Sequence, residues 1–223
     1  MNVIENARAK GIKTLSEDDS RTVLAEYGLP LVESRRVTDI PMALLAAAEL
    51  GFPVALKGTG SALAHKTESD VVRLNLRDDQ EVTRAYEDIR RKAGSKLEAV
   101  LVQRMIKSER EFVAGLNRDL QFGPCVMFGL GGIFTEVLKD VTFRVAPLSK
   151  ADAAEMLDEI KSAKLLGAFR GKPAVDREAL CDLLIKLGQL GLQEPHVMEV
   201  DINPVLIDGT SPVAVDALVV LSL

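Results

Sequence analysis

Cysteine is scarce in this chain, and its scarcity excludes two kinds of stabilisation. The 223 residues contain two cysteines, Cys125 and Cys181, both in apolar surroundings, with no CxxC pair and no His/Cys cluster. A structural zinc site is therefore not expected. Two thiols in apolar segments are more typical of buried free cysteines than of a disulfide, which favours a reducing, cytoplasmic location.

Long apolar runs and a surplus of positive charge are also missing. No stretch approaches the length of a membrane span, and the opening segment, MNVIENARAKG, lacks the apolar core of a signal peptide. The formal net charge is -5 at pH 7, which is not the footprint of a nucleic-acid-binding protein. We therefore expect neither a membrane nor a nucleic acid as a partner.

The signatures of two common nucleotide-binding classes are absent as well. No GxxxxGKS or GxxxxGKT sequence occurs, which excludes a P-loop, and Leu63 stands where a GxGxxG motif starting at Gly58 needs its third glycine. What is present is 47% hydrophobic and 27% charged residues, ordinary values for a globular chain. The length fits one large domain or two small ones.

Local patterns predict helices and strands in an irregular order. Helices are expected after the capping residues Ser16, Asp39, Ser149 and Asp176, and a further helix over 79–93 is expected to end at Gly94. This order of elements indicates an α+β fold. Strands are predicted over 31–37, 53–58, 71–76, 99–105, 112–116, 124–128, 196–204 and 212–221.

The stretch FGPCVMFGLGGIFTEVLKDVTFR, residues 122–144, combines an apolar strand, a glycine-rich turn and charged side chains. Gly129, Gly131 and Gly132 allow positive φ and let a ligand approach the bare backbone. The stretch fits a phosphate-handling site. It fits a plain glycine turn between two strands equally well, and both interpretations stay open on these residues alone.

Two basic side chains have a chemical and a plainer interpretation. Lys57 lies late in an apolar strand beside Gly58, where a lysine either extends to solvent or meets an anion such as phosphate. His65 lies in a polar loop, where most histidines are simply solvated. A neutral imidazole there is also a competent nucleophile toward phosphorus.

Acidic and amide side chains alternate near the end of the chain. Glu199, Asp201 and Asn203 occupy alternate positions of a predicted strand, so they share one face. Together with Asp216, their oxygens suit Mg²⁺. The plain alternative is an ordinary stripe of polar residues that faces solvent.

Taken together, these motifs resemble the ATP-grasp subunit or domain of NDP-forming acyl-CoA synthetases. This group includes ADP-forming acetyl-CoA synthetase and, more distantly, the β subunit of succinyl-CoA synthetase. The resemblance runs from about Leu15 to the end of the sequence. The segments that carry it are, in order, LSEDDSRTVLAEYGLPLV, PVALKG, LAHKTE, REFVAG, NRDLQFGPCVMFGLGGIFTEVLKDVTFRVAPL, LLGAFRGKPAVDREAL, MEVDINPVL and VAVDA.

The resemblance implies an ATP-grasp fold of the α+β class, in which two α+β subdomains clasp a nucleotide. Residues 31–103 would form subdomain 1, with the nucleotide lid and the histidine loop. Residues 104–223 would form subdomain 2, with the adenine, metal and phosphate site. The N-terminal helix, within residues 1–30, would pack on subdomain 2.

The resemblance also implies ATP or ADP and Mg²⁺ as cofactors, with a role for each matching residue. Lys57 would bind phosphates, Glu111 would lie by the ribose, and Arg144 would neutralise phosphate charge during catalysis. The remaining implied positions are the backbone of Gln103, Arg104 and Met105 at the adenine, Gly129, Gly131 and Gly132 at the nucleotide, and Asn203, Asp216 and Asp201 at Mg²⁺.

In this family an acyl phosphate passes its phosphoryl group to a histidine of a CoA-binding α subunit. In the ADP-forming branch a second histidine, matching His65, carries it on to ADP. The resemblance thus implies an acid–thiol ligase that is active only with a CoA-binding α partner carrying the first phosphohistidine, in an α2β2-type hetero-oligomer. The alternative is a non-catalytic ATP-grasp-like domain that senses a nucleotide or acts as a scaffold.

One departure from the family concerns the loop after His65. The family usually reads HKxxxGGV, whereas Asp70 and Val71 replace the glycine pair in this chain. We expect the replacement to stiffen the loop and to add negative charge near the histidine, which works against loop motion and against a phosphohistidine.

Overall fold

The chain forms two compact units in the computed structural model, which describes residues 2–63, 70–132, 139–168 and 170–223. The smaller unit comprises Thr14–Asp19 and Val32–Met105, and the larger comprises Met1–Lys13, Ser20–Leu31 and Ile106–Leu223. Each unit contains an antiparallel sheet with helices packed on it. The predicted α+β class is confirmed, while the roles given to residues 31–103 and 104–223 stay predictions.

The smaller unit is a four-stranded sheet covered on one face by two helices. Along the chain, α1 (Val3–Ala9) belongs to the larger unit, and only the first turn of α2 (Glu17–Glu26) belongs to the smaller one. The elements of the smaller unit are then β1 (Ser34–Val37), α3 (Ile40–Leu50), β2 (Val54–Thr59), β3 (Val72–Leu76), α4 (Asp79–Ala93) and β4 (Ala99–Arg104). The sheet has the order β1-β4-β2-β3, all antiparallel. Apolar side chains of the two covering helices, α3 and α4, form one core with alternate residues of the central strands.

The helix boundaries follow from the capping residues. The Asp39 carboxylate accepts a hydrogen bond from the Met42 N–H at 2.8 Å, which starts α3, and Gly51 ends it with a φ of +79°. The Asp19 N–H donates to the Ser16 hydroxyl at 3.1 Å at the start of α2. Gly94 ends α4 as predicted. These caps confirm the helices expected in this part of the sequence.

The larger unit is a six-stranded sheet with two helices on one face. The elements are β5 (Glu111–Asp119), β6 (Gly123–Leu130), β7 (Val141–Val145), α5 (Lys150–Glu159), α6 (Arg177–Gln193), β8 (Val197–Asp208), β9 (Ser211–Ala214) and β10 (Leu218–Leu221). The strand order is β10-β8-β5-β6-β7, and β9 pairs with β8. Helix α6 begins after the predicted cap Asp176 and buries a stripe of Leu180, Leu183, Leu184 and Leu187.

Two strand predictions were wrong in extent. The strand expected over 212–221 is two strands, β9 and β10, which pair with different parts of β8. Between them the Ala217 N–H donates to the Asp216 carboxylate at 3.1 Å. A local hydrogen bond of this kind competes with the backbone hydrogen bonds that pair two strands. The strand expected from residue 31 begins only at Ser34. Leu31 instead makes an isolated bridge with Ala214.

The first residues of the larger unit are tied to its last strand. The Leu221 N–H donates to the Lys13 carbonyl at 2.7 Å, and the Arg8 side chain donates to the Ser222 carbonyl at 3.2 Å. The sheet of this unit is therefore completed by residues from both ends of the sequence. Among the described helices, none is both long and apolar enough to cross a bilayer.

Candidate functional site

Lys57 meets an anion, one of the two outcomes left open by its place in an apolar strand, and the anion is a carboxylate of the same unit. Val54 and Leu56 of β2 pack into the core under the helices, so Lys57 points to the opposite face of the sheet. Its Nζ lies 3.0 Å from Oε1 of Glu17. Both residues are buried, with 5% of Lys57 and 1% of Glu17 exposed. The contact expected between Lys57 and phosphates stays a prediction.

The segment predicted to meet adenine lies at the end of β4. Gln103 is buried and pairs in register with Ala55, so its side chain shares the face of Lys57. The Arg104 N–H donates to the Glu33 carbonyl at 3.0 Å, and the Met105 N–H donates to the Pro53 carbonyl at 3.4 Å. These two donors are used inside the unit, so an adenine contact through them requires an exchange of hydrogen bonds.

Glu111 and the glycines after β6 lie together in the larger unit. The Gly131 N–H donates to the Glu111 carbonyl at 2.8 Å. Gly132 has a φ of +75°, and a Cβ added there would lie 2.8 Å from a carboxylate oxygen of Glu111. A Cβ on Gly131 would lie 2.7 Å from the Phe112 carbonyl oxygen. Packing against the β5 backbone therefore accounts for glycine at 131, and the positive φ accounts for glycine at 132.

Within the stretch 122–144, the described residues include two paired strands, as the plain interpretation of a glycine turn between two strands expects. Strands β6 and β7 are antiparallel neighbours, and Gly129 pairs with Val141. Gly129 itself is crowded by the Asp140 carbonyl, so a side chain does not fit there. Residues 133–138 lie outside the described part of the chain. A nucleotide contact by these glycines stays a prediction.

The acidic residues on β8 share one face, as predicted. Glu199 and Asn203 are exposed and Asp201 is partly exposed, whereas Val200 and Ile202 between them are buried. Burial and the negative charges of Glu199 and Asp216 raise the pKa of Asp201. A nearby cation would relieve that repulsion.

The donor set around Asp201 fits Mg²⁺ bound together with a nucleotide. The carboxylates of Asp201 and Asp216 and the amide of Asn203 are hard oxygen donors. Among the described residues, no three His, Cys, Asp or Glu side chains form a cluster that would hold a metal without other ligands. Mg²⁺ commonly takes only one or two carboxylates, with phosphates and water as its other ligands.

Arg144 is not brought together with these acids. The paired positions Asp201, Gly115, Met127 and Phe143 run across the sheet from β8 to β7 and share one face. Because side chains alternate along a strand, Arg144 lies on the other face, toward α5.

Arg144 has carboxylate partners on that face. Its Nη1 donates to Glu159 at 3.0 Å, and its Nη2 donates to Glu155 at 3.4 Å. The role expected for Arg144 at the phosphates stays a prediction, and this placement does not support it.

His65 lies outside the described residues, but Asp70 after its loop is described. Asp70 has a φ of +48°, a left-handed conformation that glycine adopts without strain. Its carboxylate pairs with Arg73 at 3.0 Å and also with Lys92. Hydrogen bonds from Lys92 and then Arg73 lower its pKa. The backbone shape that a glycine favours is thus kept by an aspartate, and its charge is matched by two cations.

Sequence reasoning missed Glu17. It lies in the first turn of α2 beside Asp18 and Asp19, where acids are common because they favour a helix N-terminus. The available signal was Lys57, since a lysine in a strand with apolar neighbours needs a carboxylate or another anion nearby. Nothing in the sequence alone chose among the many acids of the chain.

Residues 6–221 match the model of the ATP-grasp domain family. A curated relative is the β subunit of acetate–CoA ligase (ADP-forming) I from Pyrococcus furiosus, 40% identical, with 98% of this chain and 96% of the relative covered. The chain therefore belongs to the ATP-grasp family, in the branch of the β subunits of ADP-forming acetate–CoA ligases. The predicted family and fold are confirmed.

Solved structures agree with this placement. One is acetyl-coenzyme A synthetase 1 of Ca. Korarchaeum cryptofilum in complex with coenzyme A, Ca-AMPCP and HgCl+, with a TM-score of 0.93, 39% identity, and 99% and 98% of the two chains covered. Another structure of that protein holds coenzyme A and Mg-AMPPCP, with its phosphohistidine segment pointing towards the nucleotide-binding site. It has a TM-score of 0.87 and 40% identity, with 99% of this chain and 98% of that chain covered.

Proposed function

We propose that this chain is the nucleotide-binding subunit of an ADP-forming acyl-CoA synthetase, which transfers a phosphoryl group between a phosphohistidine and ADP or ATP with Mg²⁺. The observation that carries the proposal is the match to a whole β subunit, 96% of which is covered by this chain at 40% identity. A relative crystallised with Mg-AMPPCP supports the choice of nucleotide and metal. The reaction class is ligation of an acid to a thiol.

In the larger unit, Asn203, Asp216 and Asp201 would hold Mg²⁺, which supplies positive charge to the phosphates when it is bound. Glu111 would accept hydrogen bonds from the ribose hydroxyls. The backbone at Gly129, Gly131 and Gly132 would lie along the nucleotide. The mutual repulsion of Asp201, Glu199 and Asp216 supports a cation at this position.

In the smaller unit, Lys57 would bind phosphate oxygens, and the backbone of Gln103, Arg104 and Met105 would meet the adenine. His65 would carry the phosphoryl group as a neutral imidazole nucleophile, because its unperturbed pKa of about 6.5 leaves most of it neutral at pH 7. The ion pairs of Asp70 with Arg73 and Lys92 support this role, since they offset the negative charge that follows the histidine loop.

The chain would act with a CoA-binding α subunit that carries the first phosphohistidine, in an α2β2-type assembly. A partner is supported by the relatives, because those from Pyrococcus furiosus are named as β subunits. Cys125 and Cys181 are free, in keeping with the proposed cytoplasmic location.

The test is reconstitution of the reaction with the cognate α subunit. ATP formation from acetyl-CoA, ADP and phosphate is measured for the wild type and for His65→Ala, with ADP binding measured in parallel. We expect His65→Ala to abolish ATP formation and to leave ADP binding within about twofold, since it acts in transfer rather than binding. A wild type that binds ADP but forms no ATP would support the alternative, a nucleotide-sensing or scaffolding domain.

A further inference from the structure

Glu17 is a buried carboxylate that faces a buried ammonium group. Its side chain has no exposed area, that of Lys57 is 6% exposed, and Oε1 and Nζ are 3.0 Å apart. Both residues belong to the smaller unit. The contact joins residues 40 positions apart in the sequence, the first turn of α2 and the middle of β2.

The pair determines where the ammonium group lies. A lysine side chain has a flexible four-carbon stem and a compact charge without a preferred direction, so a fixed partner is what gives Nζ a fixed place. Moving the charges out of water is costly unless each has a partner, and loss of one partner leaves the other charge buried and uncompensated. The contact with Glu17 therefore restricts the position of the Lys57 ammonium group, and a carboxylate at that distance favours the charged form of an amine.

The ammonium group is held on a particular side of the sheet. Lys57 and Gln103 point away from α3 and α4, on the face that carries the predicted adenine segment. A charged donor that is already oriented loses little conformational entropy when a phosphate arrives. Without the carboxylate, burial would favour the neutral amine, which attracts phosphate poorly.

We propose that Glu17 is a positioning residue for nucleotide binding, which holds the Lys57 ammonium oriented and charged for a phosphate group. The inference rests on the proposed function, and within it on Lys57 as a phosphate ligand. A competing effect has the opposite sign, because a carboxylate beside the ammonium cancels part of its attraction for phosphate. Removal of the Glu17 charge separates the two effects: ADP affinity falls if positioning dominates and rises if charge cancellation dominates.

The experiment compares ADP with adenosine, which lacks phosphate, by isothermal titration in the presence of Mg²⁺. The proteins are the full-length wild type, Glu17→Gln, Lys57→Met, the double variant, and Glu26→Gln, which removes the same charge from the exposed end of α2. We expect Glu17→Gln and Lys57→Met each to weaken ADP binding by about tenfold, and the double variant to be no weaker than Lys57→Met. Adenosine binding stays within about twofold throughout, and Glu26→Gln behaves as the wild type.

Tighter or unchanged ADP binding by Glu17→Gln overturns the positioning role. Equal losses for ADP and adenosine also overturn it, because a general packing defect does not distinguish the two ligands. If the wild type binds ADP and neither Lys57→Met nor Glu17→Gln changes its affinity, the inference fails while the proposed function stands. A wild type that does not bind ADP overturns both.

A folding defect does not remove the test. Circular dichroism checks each variant, since Glu17→Gln leaves the Lys57 charge buried without its carboxylate. If that variant does not fold, Glu17→Asp keeps the charge and shortens the side chain by one methylene. We expect it to bind ADP at least about threefold more weakly with adenosine unchanged, and unchanged ADP affinity overturns the proposal.

Discussion

Arg144 and Asp201 lie on opposite faces of the same antiparallel sheet. Asp201 is on the face that also carries Asn203, whereas Arg144 donates to Glu159 of α5 on the other face. The same Glu159 carboxylate also accepts the Thr142 hydroxyl at 2.8 Å. The guanidinium is therefore part of a contact between β7 and α5, away from the expected Mg²⁺ ligands.

The first prediction follows from that separation. Arg144→Gln and Glu159→Gln should each lower the melting temperature by at most about 3 °C, because a partly exposed pair contributes little. ATP formation in the reconstituted enzyme should stay within about twofold of the wild type. A loss of a hundredfold or more with Arg144→Gln alone, with normal stability, would restore its predicted role in catalysis.

A second prediction concerns the repelling acids. Asp201→Asn should raise the melting temperature of the ligand-free protein, because it removes a charge that burial and two nearby carboxylates disfavour. The same change should weaken Mg²⁺-dependent ADP binding by at least about tenfold if Asp201 contributes to the metal site. Thermal melts with and without Mg²⁺ and ADP measure both effects. Glu199→Gln, on the same strand face, is the control and should leave ADP binding unchanged.

A third prediction concerns the left-handed Asp70. Asp70→Gly relieves backbone strain and loses the ion pairs, whereas Asp70→Ala loses the ion pairs and keeps the strain. We expect the melting temperature of the alanine variant to be about 3 °C below that of the glycine variant. The reason is that a left-handed conformation costs a residue with a Cβ about 1 kcal/mol. Equal melting temperatures would show that the positive φ costs nothing at this position.

The charge of Asp70 adds a pH dependence with a definite sign. Its pKa is lowered in the folded protein by Lys92 and Arg73, so the unfolded chain holds this proton more tightly. The resulting stabilisation is present at neutral pH, above the unfolded pKa of about 3.9, and is lost as the pH falls through the lower folded pKa. The free energy of unfolding of the wild type, taken relative to that of Asp70→Gly, should therefore fall in acid. A relative value that stays constant from pH 7 to pH 3 would contradict this.

The fourth prediction separates two reasons for glycine in the β5–β6–β7 region. Gly131→Ala should destabilise the protein by about 3 kcal/mol, because its Cβ would overlap the Phe112 backbone. Gly123→Ala is the matched control, with a φ of +78° and open space around the added atom, and should cost about 1 kcal/mol. Urea unfolding measures both changes. Gly131 does not have a positive φ, so equal costs would mean that the packing around Phe112 relaxes to accept the added carbon.

Local chemistry made much of the fold predictable. Asp39 and Ser149 mark helix starts because their side chains bond to the N–H groups of the first turn, and that bond depends only on neighbouring residues. The Glu17–Lys57 pair depends on a fold that brings β2 to the first turn of α2, so no local pattern indicates it. The branch of the family was predictable because its motifs are long and occur in a fixed order.

Strand β7 was not among the strands predicted with bounds, and its covered face is not the one that alternation suggests. Phe143 and Val145 are apolar, so alternation suggests that they point inward, yet 54% of Phe143 and 47% of Val145 are exposed. Thr142 and Arg144 take the covered face instead, where Glu159 satisfies them. At the edge of a sheet a single carboxylate on the neighbouring helix is enough to reverse the usual pattern.

The bond between Lys13 and Leu221 affects the order in which the chain can fold on the ribosome. Every residue of the smaller unit has been synthesised once Met105 has been added. The larger unit must wait for β10, which pairs with β8 and donates a hydrogen bond from the Leu221 N–H to the Lys13 carbonyl. Since domains generally fold as units during synthesis, the smaller unit should form while the nascent chain is still being made. Residues 1–13 and 20–31 stay without their final sheet until β10 has been synthesised.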